Sequence, residues 1–152
     1  MKPLNKSRCE WAKIDLLYIS YHDNEWGVPV YDDRLLFEFL ILEGMQAGLS
    51  WLTILKKREN YRKAFDNFNA KKIVKYDQDK IEGLLKNPGI IRNKLKISAT
   101  ITNAKAFLET QKEWGSFSAY IWHFVDGSPI HNKLNSSEQP PSTKARPSVP
   151  LA

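Results

Sequence analysis

One carboxylate, Glu43, follows a nearly all-apolar run at residues 35–42, and aromatic residues flank that run on both sides. The aromatic residues are Trp11, Tyr18, Tyr21, Trp26 and Trp51. Aromatic faces attract cations and stack on flat rings, and a carboxylate supplies the matching negative charge. These residue types therefore predict a pocket for a ligand that is flat and positively charged.

Glu43 is predicted to lie near the C-terminal end of a helix that Asp32 or Asp33 caps. Apolar residues at helical spacing place it on a predicted buried face of this helix. A buried carboxylate is costly unless it is paired or hydrogen-bonded. The residues alone leave three explanations open: a salt bridge to Arg34 or Arg58, a helix end that reaches solvent, or a ligand in the pocket.

A break between two predicted helices at residues 87–90 contains Pro88 and Gly89 in a tight turn. Such a turn leaves backbone N–H groups at a helix N-terminus, where they can bind a phosphate oxygen. The cations Arg92, Lys94 and Lys96 follow directly and add charge to the same predicted contact. A plain helix–helix connection remains the alternative.

The formal charge of +6 and the isoelectric point of about 9.4 suit a nucleic-acid partner, because phosphate neutralisation supplies most non-specific affinity. A second basic cluster lies on one predicted helix and comprises Lys56, Lys57, Arg58, Arg62 and Lys63. This cluster either follows a DNA backbone or forms a solvated helix face.

An all-helical fold explains most of the apolar positions, and no stretch shows a convincing strand pattern. Helices are predicted to begin at caps near residues 32, 50, 77, 93 and 116. The length suits one domain, which we place at residues 1–131. Residues 132–152 are rich in Pro and Ser and are predicted to be disordered.

Cys9 is the single cysteine, so no internal disulfide can form and a reducing, cytoplasmic location is expected. No apolar run is long enough to cross a bilayer, and no membrane association is expected. Cys9 and His22 are possible metal ligands, but a structural zinc site usually has four ligands. From the residues alone, a core cysteine and a hydrogen-bonded histidine explain the pair better.

Five segments of the chain resemble the 3-methyladenine DNA glycosylase I family. They are CEW at residues 9–11, YISYHDNEWGVP at 18–29, LEGMQAGLSW at 42–51, LKKRENYR at 55–62 and GIIRNK at 89–94. The similarity keeps one register from Cys9 to about Pro141. Motifs of this length are specific, so the resemblance supports expectations for both fold and function.

The resemblance implies an all-α helix-hairpin-helix DNA glycosylase, which flips 3-methyladenine out of duplex DNA and hydrolyses its N-glycosidic bond. It implies that Glu43 is the residue of the catalytic site that contacts the flipped base. The pocket residues that it implies are Tyr18, Tyr21 and Trp51, with Trp11 and Trp26 lining the pocket less directly. No lysine occurs in the pocket motifs, so a monofunctional enzyme without strand cleavage is expected. A monomer is also expected.

Two DNA-binding segments follow from the same resemblance. Gly48 and Leu49 are expected to lie in the loop that fills the gap left by the flipped base. Gly89, Arg92 and Lys94 are expected to contact the DNA backbone from the hairpin.

Zinc is the cofactor that the resemblance implies, with Cys9 and His22 matching two of four family ligands. Family members continue into further helical sequence that carries the other two, whereas residues 144–152 read as unrelated Pro-rich sequence. We therefore expect a C-terminally shortened member with a half-built zinc site. The alternatives to an active enzyme are a non-catalytic DNA-binding remnant and a shortened product without function.

Overall fold

The computed structural model describes residues 8–131, and this part of the chain is entirely helical, as predicted. Its α-helices are α1 (Leu16–Asn24), α2 (Asp33–Gln46), α3 (Trp51–Ala64), α4 (Ala70–Ile73), α5 (Gln78–Lys86), α6 (Lys94–Trp114) and α7 (Phe117–His123). Two short 3-10 segments, Glu10–Ile14 and Asp66–Phe68, precede α1 and α4. No strand occurs in residues 8–131.

Side-chain caps set where the helices begin. Each of the five caps predicted from the sequence accepts a hydrogen bond from a backbone N–H in the first turn of its helix. The capping residues are Asp32, Ser50, Asp77, Asn93 and Ser116. Asp33, the alternative cap for α2, instead accepts N–H groups from Phe117 and Ser118 and so ties α7 to α2.

Helix α2 is the central helix of the described fold, and it packs against α3, α6 and α7. Its buried apolar residues are Phe37, Ile41, Leu42 and Met45. Phe37 contacts Phe107 of α6 with ring centroids 4.7 Å apart. Burying one side chain of this size stabilises a fold by about 1.5–3 kcal/mol, so α2 is firmly held before its last turn reaches the surface.

No helix within residues 8–131 is long and apolar enough to cross a membrane. The predicted tail, residues 132–152, lies outside the described residues. The proposed domain boundary at residue 131 therefore stays a prediction.

Candidate active site

A cavity of about 240 Å³ opens where the first 3-10 segment and α1 meet the end of α2 and the start of α3. We call it the aromatic cavity. Its lining consists of Trp11, Tyr18, Tyr21, Trp26, Glu43, Gln46 and Trp51. The structure thus brings together all six residues that were predicted from the sequence to form a pocket, although they are spread over 41 positions from Trp11 to Trp51.

Edge-to-face ring contacts build the walls of the aromatic cavity. The Trp11 ring lies 5.0 Å from that of Tyr18 and 5.4 Å from that of Trp26, centroid to centroid. Tyr21 and Trp51 lie 5.6 Å apart and are tilted by 60°. Such pairs hold rings at fixed angles and add about 0.5–1.5 kcal/mol beyond their burial, so the cavity walls are preformed.

Glu43 lines the aromatic cavity and is exposed, so the prediction that it lies on a buried face of its helix is wrong. Met45 in the same turn of α2 stays in the core, whereas Glu43 lines the aromatic cavity from another side of the helix. Partial burial there still raises the pKa of the Glu43 carboxyl above its ordinary value. A carboxylate held in this way favours a cationic or hydrogen-bond-donating ligand.

The buried carboxylate of α2 is Glu38, which is completely inaccessible to solvent. Its oxygens accept hydrogen bonds from Arg58 Nε at 2.5 Å, Arg62 Nη2 at 2.7 Å and Arg34 Nη1 at 3.2 Å. Burial alone acts to raise the pKa of Glu38, but the contacts with Arg62 and Arg58 outweigh it and lower the pKa. The salt bridges to Arg34 and Arg58 considered for Glu43 therefore belong to Glu38.

Arg58 connects this buried cluster to the site. Its Nη1 donates to Glu25 Oε2 at 2.6 Å, and its guanidinium lies 5.0 Å from the centre of the Phe39 ring. Only 8% of Arg58 is exposed, so the prediction that it lies on the outer basic face of α3 is wrong. Two carboxylates neutralise its charge, and this limits its repulsion of a cationic ligand.

A second cavity, of about 520 Å³, adjoins the aromatic cavity and shares Tyr21, Trp26 and Glu43 with it. Glu25 and Phe39 belong to its lining, so the Arg58 contacts lie directly behind it. Glu43 therefore lies at the junction of the two cavities.

Two aromatic side chains of the aromatic cavity, Trp51 and Tyr21, carry polar groups. Trp51 is buried, and its Nε1 donor makes no hydrogen bond of good geometry within residues 8–131. Burial, and then the negative charges of Glu43 and Glu25, raise the pKa of the Tyr21 hydroxyl; Tyr21 therefore keeps its proton and can donate. An interaction with the Trp51 donor acts in the opposite direction on the pKa of Tyr21, so the Tyr21 hydroxyl is the nearest acceptor for this buried donor.

The turn between α5 and α6, residues 87–93, is braced from α3; we call it the hairpin. Asn60 Nδ2 donates to Gly89 O at 3.2 Å, and the Tyr61 hydroxyl accepts the Ile91 N–H at 3.1 Å. Within the turn, Asn87 Oδ1 accepts the Gly89 N–H at 2.8 Å. Helix α3 therefore carries Trp51 at its start and the supports of the hairpin towards its C-terminal end.

Exposed residues occupy both predicted DNA-contact segments. Arg92 and Lys94 are exposed at the end of the hairpin. Gly48 adopts a φ of +80° in the loop that joins α2 to α3, a conformation that favours glycine. Leu49 follows it and is 39% exposed. The chain therefore presents a cationic turn and an apolar loop residue to solvent.

Comparison with known proteins identifies the family. The methyladenine glycosylase family matches residues 11–149 of the chain. DNA-3-methyladenine glycosylase 1 of Escherichia coli (strain K12) is 48% identical over 139 residues, which cover 91% of this chain and 74% of that protein. The chain belongs to the methyladenine glycosylase family.

Solved structures of family members share the fold. A crystal structure of 3-methyladenine DNA glycosylase I is 54% identical, with a TM-score of 0.77 over 81% of this chain and 68% of that one. The glycosylase I from Staphylococcus aureus, whose structure addresses 3-methyladenine recognition, is 40% identical with a TM-score of 0.77, over 80% of this chain and 64% of that one. The helix-hairpin-helix assignment made from the sequence is confirmed.

The predicted metal ligands of this family member, Cys9 and His22, lie side by side. The Cys9 backbone N–H points at His22 Nε2 across 3.4 Å, and His22 Nδ1 lies 3.1 Å from Asp23 Oδ1. No group of three or more His, Cys, Asp or Glu side chains able to hold a metal occurs in residues 8–131. Residues 132–152 contain no Cys or His. The described residues by themselves do not fit a four-ligand zinc site.

Sequence reasoning missed three residues of this family site. Gln46 follows Glu43 by three positions, which places both on one helix face, and this spacing could have identified it. Glu38 follows Arg34 by four positions, which indicates a pair, but nothing local indicated Arg58 and Arg62 as further partners. Glu25 carried no signal of its contact with Arg58, because 33 positions separate them.

Proposed function

We propose that this chain is a base-excision repair glycosylase that hydrolyses the N-glycosidic bond of 3-methyladenine in alkylated DNA. One observation carries the proposal: in a chain of this family, Glu43 lies among five aromatic side chains that line one cavity. The relatives described above are named for the same activity. Release of 3-methyladenine from methylated duplex DNA by the purified chain tests it.

The chemistry demands little of the protein because the substrate is already activated. Methylation at N3 makes the adenine base of the nucleotide cationic, so it departs as a neutral molecule when the bond from C1′ to N9 breaks. The bonding electron pair leaves with the base, water adds its oxygen to C1′, and the surplus proton passes to solvent. The protein therefore has to bind and orient the base, and strong general-acid catalysis is unnecessary.

The aromatic cavity supplies selectivity for this base. A cationic ring gains from aromatic faces by about 0.5–2 kcal/mol for each favourable contact, and neutral adenine gains less. Glu43 is an acceptor for the amino group of the base and a counter-charge for its ring. Tyr21 offers a hydroxyl donor to a ring nitrogen of the base.

Access to the base requires that it leave the duplex. Base flipping costs a few kcal/mol of stacking and pairing energy, and contacts with the flanking DNA must offset it. Arg92 and Lys94 at the end of the hairpin are suited to a phosphate of the backbone. The Gly89 N–H already donates to Asn87 Oδ1, so Gly89 contributes by allowing the turn to pack closely against Asn60. Gly48 and Leu49 are placed on the loop after α2, where Leu49 can fill the vacated space. Double-stranded DNA bound by a monomer is thus the proposed substrate complex.

The proposed reaction stops at base release. Strand cleavage by a bifunctional glycosylase needs an amine nucleophile at the site. No lysine lines the aromatic cavity in the described part of the chain. The product is therefore an abasic site in an intact strand, formed in the cytoplasm if the location expected from the sequence holds.

A non-catalytic DNA-binding protein is the second candidate, and the ligand pair Cys9–His22 favours it. Structural zinc contributes folding free energy directly, and the described residues provide two donors for it rather than four. A protein of this second kind keeps the hairpin and binds DNA but releases no base. The two candidates differ in one readout, base release at saturating protein.

A further inference from the structure

Lys96 lies in the first turn of α6, and its amine reaches back across the fold to the end of α2. Its Nζ donates to Met45 O at 2.8 Å and to Ala47 O at 2.6 Å. From its sequence position, two residues after Lys94, it was expected to add charge to the phosphate contact of the hairpin. The structure commits the amine to protein carbonyl groups instead.

These two carbonyl groups lie at a structurally sensitive point. Helix α2 ends at Gln46, and the last carbonyl groups of a helix have no intrahelical donor. A cation at this end of a helix also interacts favourably with the helix dipole. Lys96 therefore fixes the last turn of α2, which carries Glu43, and the first residue of the loop that follows.

The loop at residues 47–50, which we call the wedge loop, is otherwise held by short-range hydrogen bonds: Ala47 N donates to Gly44 O at 3.4 Å, and Ser50 caps α3. Leu49 N donates to Gln46 O at 2.6 Å, and Gly48 adopts a left-handed conformation beside it. The start of α6, which carries Lys96, continues directly from the hairpin. One side chain thus joins the hairpin, the wedge loop and the last turn of α2.

We propose that Lys96 is a positioning residue that sets the register between the hairpin and the wedge loop. When the hairpin binds a phosphate, the distance to Leu49 is then already correct for entry into the duplex, and Glu43 is already oriented towards the flipped base. This inference rests on the proposed function. It assigns Lys96 to the step that extrudes and holds the base. Lys96 then no longer belongs to the residues that contact phosphate.

Two roles for Lys96 predict opposite results in DNA binding. If its amine bound a phosphate, substitution would weaken duplex binding and lower the salt dependence of the affinity by about one unit of slope. If its amine positions the wedge loop, substitution leaves that slope unchanged and slows base release at saturating protein. A displacement of about 1 Å at a reacting site can reduce the rate about 100-fold.

The experiment compares Lys96→Met, Lys96→Arg and Lys105→Met with the wild type. Methionine approximates the length of the side chain without its donors, and arginine restores donors. Lys105 is an exposed residue farther along the same helix, so its substitution is a control for the removal of one charge. Single-turnover release of 3-methyladenine from duplex DNA is measured at saturating protein, together with affinity across a salt series. Free 3-methyladenine binding reports whether the cavity is folded.

For Lys96→Met we expect base release at least about tenfold slower, with an unchanged salt slope and retained free-base binding. Lys96→Arg should recover most of the rate, and Lys105→Met should match the wild type. A lower salt slope with a normal rate at saturation contradicts the proposal. If Lys96→Met fails to bind free base, Lys96→Gln carries the same comparison, with the arginine variant as reference.

Amide hydrogen exchange separates this proposal from the proposed function. In Lys96→Met the amides of the wedge loop should exchange at least about tenfold faster, while those of α3 stay protected, because local opening is confined to the released segment. Faster exchange in the wedge loop, together with no base release by the wild type or any variant, contradicts the proposed glycosylase activity but supports the positioning role. Unchanged exchange in the wedge loop overturns the positioning role.

Discussion

Glu38 and Glu43 show how position along one helix decides what a carboxylate does. Glu38 lies in the middle of α2 and is enclosed by arginines, whereas Glu43 lies in the last turn and lines the aromatic cavity. Burial was predicted for Glu43 because apolar residues precede it at helical spacing. The pattern was right about the helix and wrong about which side of its last turn the core covers.

The raised pKa of Glu43 predicts a pH dependence. A raised pKa means that the carboxylate forms at a higher pH than in an ordinary glutamate, whose pKa is about 4.3. Base release should therefore increase as the pH rises through that raised pKa, and Glu43→Gln should lack this acidic limb.

The Glu43→Gln variant should also lose at least about tenfold in preference for 3-methyladenine over adenine, since hydrogen bonds to charged groups contribute about 1.5–3 kcal/mol. Free-base titrations by NMR measure the preference; unchanged binding by the glutamine variant would count against Glu43.

Glu38 should matter for stability, and Glu59 provides a matched control because both carboxylates accept hydrogen bonds from Arg62. Removing one partner of a buried ion pair costs about 3–5 kcal/mol, so Glu38→Gln should lower the free energy of unfolding by that amount. Glu59→Gln breaks an exposed pair and should cost at most about 1 kcal/mol. Urea unfolding at neutral pH measures both, and equal losses would contradict the buried cluster.

The same cluster has a defined pH dependence. The pKa of Glu38 is lowered in the folded state. The stabilisation that Glu38 provides is therefore fully present above the pKa that Glu38 has in the unfolded chain. It is lost as the pH falls through the folded pKa. The difference in unfolding free energy between the wild type and Glu38→Gln should therefore shrink as the solution becomes acidic.

Among the elements of the fold, most of the helices and their caps were predictable from the sequence. Short polar side chains before apolar runs identify a helix start locally, and Ser50, Asn93 and Ser116 all cap as expected. The bracing of the hairpin by α3 could not be predicted, because it depends on contacts between residues about 30 positions apart, such as Asn60 and Gly89.

The hairpin itself gives a prediction for a single element. A Cβ atom at Gly89 would lie 3.0 Å from Asn87 Oδ1 and 3.1 Å from Asn60 Cγ, so both supports must shift in Gly89→Ala. Overpacking of this kind costs about 1–3 kcal/mol, and we expect duplex affinity to fall about tenfold while free-base binding is unchanged. Fluorescence anisotropy with labelled duplex measures the affinity.

Gly83 supplies the control for this substitution. It lies within α5, and a Cβ atom there meets nothing within 4 Å. Gly83→Ala should leave DNA affinity unchanged and raise the free energy of unfolding by about 0.5–1 kcal/mol, because alanine is the better helix former. Equal DNA affinities for the two alanine variants would contradict the role of the hairpin.

In the molecule as a whole, residues distant in sequence meet on a single scaffold. Helix α2 carries Glu43 to the aromatic cavity, α3 supplies Trp51 and braces the hairpin, and Lys96 returns from α6 to the end of α2. The cavity residues were predictable because they fall in long family motifs. The connections between them were not, since long-range hydrogen bonds leave no periodic pattern in the chain.

Zinc content is a prediction for the whole molecule. Because residues 8–131 contain no group of three or more side chains able to hold a metal, we expect Cys9 and His22 by themselves to retain zinc well below one ion per chain. Elemental analysis of protein purified without chelator measures the stoichiometry, and Cys9→Ser should leave it unchanged. One tightly held zinc ion per chain would contradict the expectation of a half-built zinc site.

Excision of a methylated base by the aromatic cavity, with Glu43 at its edge, can be measured in a single reaction. The purified chain is incubated in excess with duplex DNA containing 3-methyladenine, and the released base is quantified by chromatography. We predict release of free 3-methyladenine with the strand left intact, and a much slower release by Glu43→Gln. Tight binding of the duplex without any base release would contradict the proposed function and identify a non-catalytic DNA-binding protein.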